Sequence, residues 1–154
     1  MNPQRPRGIT AVMALSVLVG NASLAAQQEV RVCCTPNLGF GGAEGTPVSV
    51  TPQMDVTEDV VIEELHVVVK ISHTWVGDVQ LNLTSPTGTA VRLHDGAGGN
   101  RDDLNVVYSD SGVPNGSEHF DFGCYMQVSG DGGVGALAQY AGESSLGTWS
   151  LQVL

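Results

Sequence analysis

The sequence predicts an all-β fold, a sandwich of antiparallel sheets, on three observations. Aliphatic and polar residues alternate with period two from Leu65 to Ile71 and again from Val79 to Leu83. Pro86-Thr87-Gly88 stands between two such runs, where Pro presets φ and Gly tolerates φ > 0, as a tight turn requires. No stretch carries the i, i+3, i+4 periodicity of an amphipathic helix; only Ala136–Tyr140 suits a helical turn. Short strands with frequent turn signals indicate a sandwich or barrel and argue against alternating β and α units.

The elements follow in chain order. Residues 1–25 read as an export signal: Arg5 and Arg7 are basic, Ile9 to Val19 is apolar, and Ser23-Leu24-Ala25 offers the small residues of a cleavage site after Ala25 or Ala26. The rival reading is an uncleaved anchor, but the apolar run falls short of the roughly 20 residues of a membrane span. Residues 26–55, rich in Gly, Pro, Thr and Gln, form an arm with one short strand near Val48–Val50. The domain proper occupies 56–154. Leu65, Val67, Val69 and Ile71 point to the core, as do Val79, Leu81 and Leu83, then Val91 and Leu93 on the return, so that 77–94 is a hairpin. A Gly- and Asp-rich loop spans Asp95–Asp103. Strands are expected at Leu104–Tyr108, around Phe120–Val128, and at Trp149, Leu151 and Val153.

Charge excludes one class of function. All 16 acidic residues lie beyond position 26, against four basic ones, giving the exported chain a formal charge of −12. Such a surface repels phosphate backbones, so no nucleic-acid partner is expected, and no membrane association after signal cleavage. Acidity suits cations instead. Asp95, Asp102, Asp103 and Asp110, with Asn100, are the candidate calcium ligands, since calcium takes six to eight oxygens and Gly-rich loops turn carbonyls inward; a solvated acidic loop is the alternative. The spacing is not that of an EF-hand. In an oxidising compartment, Cys33 or Cys34 is expected to bond Cys124, leaving a third thiol; the spacing argues against zinc.

No familiar catalytic site is recognisable in the residues, which leaves a hydrolase with an unfamiliar site as the remaining enzymatic reading. His66, His73, His94 and His119 lack the context of a Ser-His-Asp site, no Gly-x-Ser-x-Gly elbow is present, and there is no His-Glu-x-x-His. His73, in the inward register after Ile71, is expected to be a core histidine. Gly130-Asp131-Gly132-Gly133-Val134-Gly135 fits a dinucleotide pattern in form but lies in a Gly-rich loop, without the strand and helix that chemistry needs. Asn82 and Asn115 begin glycosylation sequons.

His73-Thr74-Trp75-Val76-Gly77-Asp78, Ser85-Pro86-Thr87-Gly88-Thr89 and Gly142-Glu143 followed by Gly147-Thr148-Trp149-Ser150-Leu151 stand in this order. Together they resemble the P domain (P/Homo B domain) of subtilisin-like proprotein convertases. The resemblance covers residues from about 56 to 153 and implies a jelly-roll-like sandwich. It also implies a non-catalytic accessory role beside a secreted subtilisin-like serine protease, in a secreted or periplasmic setting. The family's further Trp-bearing strand has no counterpart before Leu154, so its place is expected to be empty or filled by another segment. On physical grounds His73, Trp75, Gly77, Asp78, Pro86, Gly88, Glu143, Gly147 and Trp149 are expected to specify the fold. Trp75 and Trp149 would each bury about 150–250 Å², Gly77 and Gly147 mark places too tight for a side chain, and Asp78 would accept turn amides. A carbohydrate- or polymer-binding module is the alternative function, and it would need an exposed aromatic platform.

Overall fold

The structure is a computed structural model. It describes residues 49–111 and 136–154 with their side chains, and the backbone alone at 9–10, 13–19, 28–34, 37–38, 112–113 and 126–128. Among the described residues, eleven strands run in chain order: β1 (Ile9–Thr10), β2 (Met13–Val19), β3 (Gln28–Cys34), β4 (Asn37–Leu38), β5 (Gln53–Val56), β6 (Glu64–Ile71), β7 (Gln80–Thr84), β8 (Ala90–Asp95), β9 (Leu104–Val113), β10 (Met126–Val128) and β11 (Gly147–Val153). One sheet has the order β10-β9-β6-β2-β3 and the other β5-β11-β7-β8, with β1 and β4 forming a small separate pair. All pairings are antiparallel except β9 with β10. Among the described residues no helix is long and apolar enough to cross a membrane.

The alternation read from the sequence sets the layers. Leu65, Val67, Val69 and Ile71 of β6 are buried, as are Leu81 and Leu83 of β7 and Trp149, Leu151 and Val153 of β11. The two sheets bury these rows against one another in a single core, with Leu104, Val106 and Tyr108 contributed by β9. The 77–94 hairpin is present as β7 and β8. Its turn closes through the Gly88 amide to the Ser85 carbonyl at 3.0 Å, with Gly88 at φ 94°. The expected helical turn is a 3-10 turn, Leu137–Tyr140.

Other expected elements are placed as follows. Of the strand expected around Phe120–Val128, Met126–Val128 is a strand, and 120–125 lie outside the described residues. Near the expected Val48–Val50 strand, Val50 bridges Val153 and β5 follows directly. Met13–Val19, read as part of an export signal, is a strand between β6 and β3. The Cys33 or Cys34 to Cys124 pairing, the Gly130–Gly135 loop, His119 and Asn115 lie outside the described residues.

Two side chains are placed differently for identifiable reasons. The core histidine is His94, fully buried, while His73 is only half-buried. A register shift between Leu81 and Asn82 inserts a bulge in β8, so that consecutive Leu93 and His94 both turn inward, which strict alternation forbids. His73 lies beyond the end of β6, where period two no longer applies. Trp75 is 48% exposed, because the 3-10 turn Val76–Asp78 sends Val76 into the core in its stead.

Candidate functional site

Two clusters gather the sequence-predicted residues. In the first, the 72–79 connection after β6 is laced to the 95–103 loop. The Asp103 amide donates to the His73 carbonyl at 2.8 Å and the His73 amide to Asp103 Oδ1 at 3.1 Å. Asp103 adopts φ 61°, a left-handed conformation that Asp tolerates better than most residues. The Val76 amide donates to the Arg101 carbonyl and the Gly77 amide to the Gly99 carbonyl, both at 2.8 Å. His73 Nδ1 sits 3.1 Å from the Trp75 amide nitrogen and 2.8 Å from its carbonyl oxygen. The exposed indole thus stands on a fixed backbone. A Cβ on Gly77 would lie 3.0 Å from the Gly99 carbonyl oxygen, which is the tightness the sequence suggested. Asp78 is exposed, and among the described bonds no turn amide reaches its carboxylate, contrary to the role expected for it.

The second cluster joins the Ser85–Thr89 turn to the approach to β11. Thr87 Oγ1 donates to Glu143 Oε2 at 2.7 Å and Thr89 Oγ1 to Oε1, while Ser85 Oγ lies 2.9 Å from Thr87 Oγ1. A Cβ on Gly147 would lie 2.8 Å from Pro86 Cβ. Tyr140 donates to the Leu83 carbonyl at 2.8 Å and packs edge-on against Trp149, ring centroids 5.3 Å apart. The Trp149 indole N–H reaches the Ser145 carbonyl at 2.9 Å. Pro86, Gly88, Glu143, Gly147 and Trp149, spread over more than sixty positions, are one structural knot.

Burial pushes the Glu143 carboxyl up, but the hydroxyls of Thr89, Thr87 and Ser85 outweigh it and hold the group below its ordinary value of 4.5. A carboxyl depressed on folding adds stability above its unfolded pKa and loses it as pH falls through the folded one. Melting temperature should therefore drop between pH 5 and 3 more steeply in the native chain than in Glu143→Gln. Parallel curves for the two would refute this. Burial drives the Tyr140 hydroxyl the opposite way, well above its usual range.

The calcium candidates do not converge. Asp95 accepts from Arg92 Nη1 at 2.9 Å, and Asp103 is engaged by His73. Asp110 accepts the amides of Leu137 and Ala138 at 2.9 and 2.8 Å, capping the 3-10 turn, and Asp102 is exposed. Among the described residues no group of three or more His, Cys, Asp or Glu is placed to hold a metal ion. The described histidines meet a backbone (His73, His94) or a carboxylate (Glu64, 3.2 Å from His66). Those contacts supply no nucleophile–base pair.

The described strands and the two clusters thus define an all-β sandwich module. A family model, the proprotein convertase P-domain, matches residues 62–154, and the chain belongs to that family. No curated protein and no solved structure matches it.

Proposed function

We propose that this chain is exported, loses its first 25 or 26 residues, and serves as a non-catalytic accessory module that stabilises a secreted subtilisin-like serine endopeptidase. The observation that carries this reading is the use made of the family motif. Thr87 and Thr89 donate to Glu143, Gly147 lies against Pro86, and Trp149 donates to the Ser145 carbonyl, so these motif residues are engaged within the domain itself. Co-secretion with a subtilisin-like protease tests it. The protease should retain more activity after heating when the chain is present, and the chain alone should cleave no fluorogenic peptide. Turnover by the chain alone, inhibited by a serine-directed reagent, would overturn the reading.

We also propose calcium at the 95–103 loop, where an ion would share Asp95 with Arg92 and Asp103 with the His73 amide, each carboxylate having a second oxygen to offer. Ligand at a hundredfold excess over Kd stabilises by about 2.7 kcal/mol. A melting temperature raised by calcium and lowered by chelator supports the ion; an unchanged one removes it.

The exposure of Trp75 favours a second reading, a module binding an extracellular polymer such as a polysaccharide. Retention on polysaccharide, lost in Trp75→Ala at unchanged melting temperature, would establish it; absence of retention on every polymer tried would remove it.

A further inference from the structure

In the five-stranded sheet, the strand that joins β6 to β3 is β2, which lies inside the segment that the proposed export processing removes. The register fixes what is left behind. Leu15 stands between Val67 of β6 and Val32 of β3, and Val17 stands between Leu65 and Val30. Because β2 is antiparallel to both neighbours, β3 and β6 run in the same direction. Loss of β2 opens the edge of β6 from Glu64 to Val68, a row of backbone donors and acceptors that would template pairing with other chains.

We infer that the arm Gln28–Cys34 then takes the place of Met13–Val19 and pairs directly with β6. This rests on the export reading above. The move is one strand spacing, about 4.8 Å, and needs neither reversal nor slip. Val32 arrives in the row of Val67 and Val30 in the row of Leu65, and both those β6 residues face the core. A slip of one residue would turn every side chain to the wrong face, and none is required. Two costs oppose it. Parallel pairing is slightly weaker than antiparallel. Glu29 also enters the row of Glu64, an unfavourable like-charge pair, although Arg31 enters the row two positions along, that of His66. The tether decides against outside strands: the arm is joined to β5 through residues 35–52, so it meets the edge at an effective concentration in the millimolar range.

The test uses the full chain secreted from a bacterial host and recovered as the exported product, with its intact mass measured. Hydrogen exchange is followed at Leu65–Val68 in the native product and in Val30→Asp/Val32→Asp, with Trp149 fluorescence, isolated by Trp75→Phe in both proteins, reporting that the core is intact. The native product should lack its first 25 or 26 residues and exchange slowly. The variant should exchange at least about tenfold faster at an unchanged Trp149 signal. Should the double Asp variant unfold, Val30→Thr/Val32→Thr carries the same comparison. Fast exchange in the native product, equal protection in the variants, or protection that vanishes as a dimer dissociates on dilution would each overturn the strand replacement alone. A retained leader would overturn the export reading and this inference with it.

Discussion

Trp149→Ala should unfold most of the protein at room temperature in moderate urea. The side chain is fully buried at the centre of the core and packs edge-on against Tyr140, and its N–H satisfies the Ser145 carbonyl. Removing a buried Trp costs about 3–5 kcal/mol through lost transfer energy and the cavity left behind. Here a carbonyl acceptor is orphaned as well. Against a total stability of about 5–15 kcal/mol, that is a large fraction. The urea midpoint should fall sharply with the slope unchanged. A loss below about 1 kcal/mol would mean that Trp149 is not the core residue described.

Gly147→Ala should approach the same severity although it adds one methyl group. Gly147 has φ 125°, where a side chain is strained, and the new Cβ would lie 2.8 and 3.0 Å from two carbons of the Pro86 ring. Strain in such a conformation costs about 1–3 kcal/mol, and overpacking adds about 1–3 kcal/mol. The two contributions separate in a double-mutant cycle. Pro86→Gly should relieve the overlap but not the strain, giving a favourable coupling of about 0.5–3 kcal/mol. Additive effects of the two substitutions would show that the ring and Gly147 do not touch.

The sequence makes the strands legible where they are regular. Leu65 to Ile71 and Leu81 with Leu83 declared their inward faces because period two survives along an unbroken pleat. The tightness at Gly77 and Gly147 was legible too, since a glycine beside a turn or strand end signals close approach. What period two cannot register is a break in itself. The β8 bulge buries His94, and the end of β6 at Ile71 releases His73 and exposes Trp75. Acidic residues crowded in sequence need not crowd in space. Asp110 looks like part of the 95–103 group, yet it caps a turn 27 positions further on. Met13–Val19 was opaque as a strand for another reason: an apolar run with small residues satisfies an export signal, and its partners on β6 lie some fifty positions away.

The placement of β11 bears on how such a chain is made. Residues 147–153 lie between β5 and β7, so the four-stranded sheet has no middle until they are available. The stretch just before them is stitched to a much earlier one: the Ile62 amide to the Glu143 carbonyl at 2.9 Å, and the Ser145 amide to the Val60 carbonyl at 2.9 Å. Contacts spanning more than eighty positions cannot form on a nascent polypeptide emerging from the ribosome, and topologies dominated by them fold slowly. Until synthesis has passed position 153 the four-stranded sheet therefore cannot be completed, and β5 waits without its partner.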